Sequence, residues 1–230
     1  MVSWQGVLKF VAHGQSTLKL ALRLGWRPAA RYTNLRDVRG LPFKNRGFLD
    51  IHWTRYDFDR HLETAAQFRP LITVARDVER AHQLESVLGE AEKLKRYARF
   101  VVVVPKDPKL ASRLRELIPA PYLLGFSVPT RYGGTRINPR HFTGPVHLLG
   151  GRPDVQRRLG SQMQVVSLDC NRFTLDARFG DYFDGETFRP HPKGGYINCL
   201  NDSIKNIERL WHHYKPKYTE LRANLRKRYG

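Results

Sequence analysis

Short apolar runs alternate along this chain with longer stretches of helical spacing. Val7–Ala12 reads as a strand, followed by a helix over Ser16–Leu24 that Gly25 ends. Gly47–Asp50 enters a second strand, and Tyr56–Phe68 has the spacing of a helix. After Pro70 comes a third strand, Leu71–Ala75, closing on Arg76 and Asp77. A charged helix over Glu79–Ala98 leads into Phe100–Val104, the clearest buried strand. Pro108–Leu117 is helical, Tyr122–Val128 is strand-like, and a Gly/Pro/Arg-rich loop runs from Pro129 to Pro139. Val146–Leu149 and Val165–Leu168 bring the candidate strands to seven.

These runs are continuous rather than alternating, so each strand is expected to be covered on both faces, as in a parallel sheet wrapped by helices. Seven units without a clear break favour α/β architecture of the TIM-like (β/α) barrel kind, compact or incomplete, over a doubly wound sheet. The eighth strand has no obvious place. It falls either within Arg172–Cys199 or nowhere, leaving the barrel open. No G-x-G-x-x-G follows a strand, which argues against a dinucleotide fold. The expected division is a barrel over residues 1–196 and a helical extension over 197–230 packed upon it. In that extension Ile197–Tyr214 is amphipathic, and a second helix beyond Pro216 carries Lys217, Arg222, Arg226, Lys227 and Arg228. Those charges suit either a solvated face or a nucleic-acid contact.

Charge changes the picture most. Forty Lys and Arg against 21 Asp and Glu give +19, a surplus that draws polyanions, and nucleic acid is the partner it favours. A membrane surface would call for a basic amphipathic helix or a lipidation signal, and neither stands out. No apolar stretch approaches a membrane span, and Lys9, His13 and Lys19 interrupt any signal-peptide pattern. Two cysteines fit a reducing compartment, the cytoplasm of a bacterial, archaeal or infected host cell.

In a parallel barrel the chemistry lies at the C-terminal strand ends. Reading those ends gives Asp50, Asp77, Lys106, Gly125 with Phe126, His147 with Gly150 and Gly151, and Asp169. An aspartate after a strand commonly caps the next helix. Three around one rim instead suggest paired carboxylates, one attacking an electron-poor sugar carbon while another moves protons.

The stretch "VHLLGGRPDVQRRLGSQMQVVSLDC" resembles the part of tRNA-guanine transglycosylases where an "H-Y-L-M-G-x-G" strand, a "P-x-x-L" helix and a "D-M-F-D-C" strand follow one another. "GFLDIHW" sits where that family has its "D-S-G-G-F" strand end, although the Ser-Gly-Gly is absent. "LITVARD" resembles the strand ending in the base-recognising aspartate, and "YLLGFSV" the "A-I-G-G-L-A-V" strand beside the base. "GWRPAARYTNLRDVRGLPF", "RYDFDRHLE" and "GDYFDGETFRPHPKGGYINCLNDSIKNIERLW" look closer to a small phage-type branch, the DpdA-type DNA-guanine transglycosylases. The resemblance extends from about Trp26 to Trp211.

It implies exchange of guanine in DNA for a free 7-deazaguanine base without any cofactor. Asp169 would be the nucleophile, forming a covalent glycosyl intermediate, and Asp50 the acid/base. Asp77, Gly125, Phe126, His147, Gly150 and Gly151 would hold the base. Arg131, Arg136, Arg140, Arg152 and Lys193, on the same rim, would grip phosphates near a target nucleotide flipped from the duplex or already single-stranded. The tRNA enzymes bind a structural zinc through three cysteines and a histidine. Two cysteines cannot form that site, and His191, Cys199, His212 and His213 are the residues from which a different one would have to be built. Base exchange on tRNA, a hydrolytic N-glycosylase, and a non-catalytic nucleic-acid-binding protein on a degenerate barrel are the competing expectations.

Overall fold

Four consecutive buried residues such as Phe100–Val103 make a strand with both faces to cover. In the computed structural model, which describes residues 6–131 and 133–214, such runs form the wall of one barrel. In chain order come β1 (Leu8–Val11), α1 (Gln15–Arg23), β2 (Arg27–Arg31), β3 (Phe48–Asp50), α2 (Phe58–Phe68), β4 (Ile72–Val74), α3 (Leu84–Leu94) and β5 (Phe100–Val103). After these come α4 (Leu114–Leu117), β6 (Leu123–Ser127), β7 (Pro145–Leu149), α5 (Pro153–Gly160), β8 (Gln164–Asp169) and α6 (Arg172–Asp176). A hairpin of β9 (Asp181–Phe183) and β10 (Phe188–Pro190) precedes the long α7 (Tyr196–His212). Strands β1 to β8 pair in sequence order and in parallel, and β8 returns to β1, closing the barrel.

The barrel is therefore complete, and its eighth strand is not in Arg172–Cys199. It is β2, between the first two expected strands. Its sequence, R-P-A-A-R, has no β-branched residue and sets only Pro28, Ala29 and Ala30 between arginines, so strand propensity does not reveal it. Burial between β1 and β3 makes it a strand. Arg172–Cys199 holds α6 and the β9–β10 hairpin, which pairs only with itself.

Two connections lack an α-helix. Residues 32–47 between β2 and β3, and 128–144 between β6 and β7, contain only three-residue 3₁₀ turns, Arg36–Val38 and Pro139–His141. Helix α7 packs against both α1 and α5, the helices following β1 and β7, and so takes the eighth helical position. The Tyr196 and Thr17 hydroxyls meet at 3.1 Å, Arg157 Nε donates to the Leu210 carbonyl at 3.0 Å, and Lys9 pairs with Glu208 at 2.9 Å. The second basic C-terminal helix expected from sequence lies outside the described residues. Among the described residues no helix is long and apolar enough to cross a membrane.

One wall position requires glycine for space. A Cβ on Gly125 would lie 2.6 Å from Val104 Cγ2 and 2.7 Å from Val102 Cγ1. The Gly125→Ala variant is expected to lose about 1–3 kcal/mol through overpacking, read as a melting temperature several degrees lower. An unchanged melting temperature would show that the lumen has slack there.

Candidate active site

The lumen is closed by aromatic rings beneath the rim. Phe48 on β3 lies 5.7 Å from Phe10 on β1 and 4.8 Å from the His147 imidazole on β7, centroid to centroid. Phe10 and His147 are 6.3 Å apart, and all three are buried. Side chains on a strand alternate, so inward Phe48 sets Asp50 inward as well, one layer nearer the rim. On β8, the pairing register slips by one residue: Val146 faces Val165 but His147 faces Ser167. Such a slip exchanges the faces of the residues beyond it, and here Ser167 and then Asp169 turn toward the lumen.

Two carboxylates thus share one mouth. Asp169 Oδ1 accepts the Gly150 N–H at 3.1 Å, a bond that uses the reversal after β7, where Gly150 and Gly151 have φ of 63° and 91°. Gln156 of α5 braces the same corner from behind. Its Nε2 donates to the carbonyls of Gly150 and Asp169 at 2.7 and 2.8 Å. Asp50 Oδ1 accepts the Ile51 N–H at 2.8 Å. Burial pushes the Asp50 carboxyl up to about 7, and the charge of Asp169 pushes in the same direction. The Ile51 N–H and Arg31 oppose that shift without cancelling it. The Asp50 carboxyl therefore exchanges its proton near neutral pH, chiefly because burial disfavours its charged form and secondarily because Asp169 repels it.

Below Asp169 lies His147, whose Nδ1 is 2.7 Å from Ser167 Oγ. Either the Ser167 hydroxyl or Nδ1 donates in this bond, according to the imidazole tautomer, and donation by the hydroxyl would place the ring proton on Nε2. That nitrogen has no hydrogen bond and faces Asp169 Oδ1 at 3.6 Å. Cys170, next in sequence, is buried and pushed up to about 12, so it is a packing thiol rather than a nucleophile.

Residues 21–212 match DUF6610, a family of unknown function. The chain belongs to this family. The matched span runs from within α1 to the end of α7 and includes Asp50, Asp77, His147 and Asp169. No curated protein matches this DUF6610 chain.

The remaining expected residues are distributed unevenly. Asp77, just beyond β4, forms an ion pair with Lys106 at 2.7 Å, and Lys106 also reaches Glu79 at 2.8 Å. Burial raises the Asp77 carboxyl even so, outweighing the nearby ammonium. Asp77 also adds to the field at Asp50, as the smallest of the causes that raise it. Gly125 lines the lumen, whereas the Phe126 side chain turns outward and meets Phe142 at 5.0 Å, leaving only its backbone near the mouth. His147 is wholly buried and touches the site through Asp169.

Arg131, Arg136 and Arg140 are exposed on the loop after β6, and Lys193 is exposed between β10 and α7. Arg152 is turned onto Asp154 at 3.0 Å and over the Phe188 ring at 5.3 Å. The histidines and cysteine considered for a metal are not brought together. Both ring nitrogens of His191 are engaged, by Asp202 at 3.1 Å and the Lys193 N–H at 3.1 Å. Cys199 and His212 lie about 20 Å apart along α7. Among the described residues no three His, Cys, Asp or Glu side chains form a metal-holding group.

Sequence reasoning passed over Arg31, Ser167 and Gln156. Arg31 ends the unrecognised β2 opposite Asp50, and recognising that strand would have exposed it. No sequence signal marks Gln156, whose role comes entirely from the packing of α5 on two strand ends.

Proposed function

We propose that this DUF6610 protein exchanges guanine in DNA for a 7-deazaguanine base through a covalent aspartyl-glycosyl intermediate. The observation that carries the proposal is the Asp50–Asp169 pair, one carboxyl raised to about 7 and the other held by the Gly150 N–H, within electrostatic reach across one barrel mouth. The charge of +19 and the resemblance to guanine transglycosylases support nucleic acid as the substrate.

In this reading Asp169 attacks C1′ of the target nucleotide as the C1′–N9 bond breaks. The departing guanine takes the proton from Asp50. The incoming 7-deazaguanine then loses its N9 proton to Asp50 and attacks C1′, releasing the Asp169 carboxylate. Each glycosidic bond replaces another, so no cofactor or nucleotide hydrolysis is required. Two displacements retain configuration, as in retaining glycosidases. Asp77 would accept hydrogen bonds from the N–H edge of a guanine-like base. With its proton on Nε2, 3.6 Å from Asp169 Oδ1, His147 would support the attacking carboxylate electrostatically.

Incubating the protein with labelled guanine or a labelled 7-deazaguanine, and with DNA or tRNA in parallel, tests the proposal. Label is expected in DNA. Label in tRNA alone would overturn the choice of polymer, abasic sites would indicate hydrolysis, and no change in either polymer would remove the reading altogether.

A further inference from the structure

The exposed large apolar side chains of the described residues are Trp53, Leu175, Phe179 and Ile197. All four lie on the face of the barrel that carries Asp50 and Asp169. Trp53 is in the loop leaving β3, three residues beyond Asp50. Leu175 and Phe179 lie in the segment leaving β8, six and ten residues beyond Asp169. That segment is tied to the same rim by Arg178, whose Nη2 is 3.2 Å from Nε2 of His13 in the loop leaving β1. Ile197 is in the first turn of α7, beside Tyr196, whose hydroxyl meets Thr17 in the first turn of α1. Single exposed apolar residues scattered over a surface need no explanation, but confinement to the functional rim does.

The two aromatic members are the most open, Trp53 at 62% and Phe179 at 83% exposure. Each has a cation beside it: exposed Arg55 follows Trp53 by two positions, and exposed Arg178 precedes Phe179. Exposed Arg31 ends β2 next to the Asp50 strand. Trp53 stands on the loop that leaves the Asp50 strand, and Phe179 ends the 3₁₀ turn Ala177–Phe179 that follows α6 beyond the Asp169 strand and is tied through Arg178 to the loop after β1.

Open π-faces interleaved with cations suit a polymer offering both unstacked rings and phosphates. A duplex hides the faces of its bases, so the match is to an unpaired strand. A lipid surface would instead select one continuous apolar face with a basic border. Here the apolar groups are dispersed among charges around a polar mouth.

We propose that the rim binds an unpaired nucleic-acid strand laid across the mouth, with Trp53 and Phe179 stacked on bases to either side of the reacting nucleotide. This rests on the nucleic-acid reading above and adds to it the strandedness of the substrate and the residues that grip it. Stacked aromatic residues would also take up bases displaced when the target nucleotide leaves its neighbours, lowering the cost of extrusion.

The test is fluorescence-anisotropy binding of the full chain to a labelled single-stranded oligonucleotide, to its duplex, and to vesicles of anionic phospholipid. Tighter binding to the single strand is expected. Trp53→Ala and Phe179→Ala should each weaken it roughly 5- to 150-fold, while Trp53→Phe retains most of it. Both positions are surface sites, so melting temperatures should not change. Intrinsic tryptophan fluorescence should be quenched by the single strand in wild type and by less in Trp53→Phe. Equal affinity of the Trp53→Ala variant and wild type for the single strand overturns the proposal, as does Trp53-dependent binding to vesicles alone. Base exchange is measured alongside. Exchange with Trp53-independent binding removes this surface and leaves the enzyme, whereas Trp53-dependent strand binding without exchange does the reverse.

Discussion

Replacing Asp169 with Asn is expected to abolish base exchange by about a thousandfold or more, the scale on which loss of a covalent nucleophile is felt. The amide oxygen still accepts the Gly150 N–H, so the strand end keeps its geometry and the fold its stability. The same substitution has a second consequence independent of any substrate. The Asp169 charge is one of the causes holding the Asp50 carboxyl near 7, second only to burial. Removing it should move the Asp50 titration downward, observable by carboxyl carbon NMR. A protein–DNA adduct trapped with wild type and absent from Asp169→Asn would support the chemistry. An Asp50 titration that does not move would show that the two side chains do not share a mouth, and the mechanism would fall with it.

Substituting Asp50 with Asn should act in opposite directions on stability and on turnover. An unfolded aspartate titrates near 3.8, whereas burial raises Asp50 to about 7. Below 3.8 the carboxyl is protonated in both states, and its favourable contribution to folding is fully present. As pH rises through 7 that contribution is lost, because the folded protein must then carry a desolvated charge facing Asp169. The full interval corresponds to roughly 4 kcal/mol, an upper figure that entry of water would reduce. At pH 8 the Asp50→Asn variant should therefore melt higher than wild type by about 2–4 °C for each kcal/mol recovered. The difference should close as the pH approaches 4. Exchange should fall about 10²- to 10⁴-fold, since the amide cannot pass a proton to the departing base. A variant melting below wild type at pH 8 would mean that Asp50 is a structural anchor.

Much of this arrangement was legible in the sequence. Continuous apolar runs such as Phe100–Val104 and Val165–Leu168 announced parallel strands, and strand ends on Asp50 and Asp169 announced the rim. The failure at Arg27–Arg31 has a physical cause. Strand propensity measures how a side chain fits a pleated surface, and alanines flanked by arginines give almost no such signal. Barrel closure imposes the conformation from outside the segment. Asp77 was visible as a strand-end acid, but its pairing with Lys106 joins the ends of two adjacent strands and depends on their register. The His147–Ser167 contact depends on the one-residue slip between β7 and β8, which the sequence does not reveal. Orientation at the outer rim is likewise a tertiary matter. Arg152 looked like a phosphate ligand from position alone, and Asp154 holds it in place.

Where β2 passes to β3, and again half a circumference away where β6 passes to β7, no α-helix shields the wall. Side chains of the connections themselves cover both places, Tyr32, Val38 and Phe43 at the first and Val128, Ile137 and Phe142 at the second. Phe43 lies flat against Gly47, where even a methyl group would collide, and edges onto Phe68. Phe142 does the same against Phe126. These two connections, residues 32–47 and 128–144, are no shorter than the helix-bearing ones at 12–26 and 150–163, so what they lack is helical order rather than length. Along that diameter the wall is covered by irregular backbone, so its protection from water rests on side-chain packing rather than on a ladder of helical hydrogen bonds.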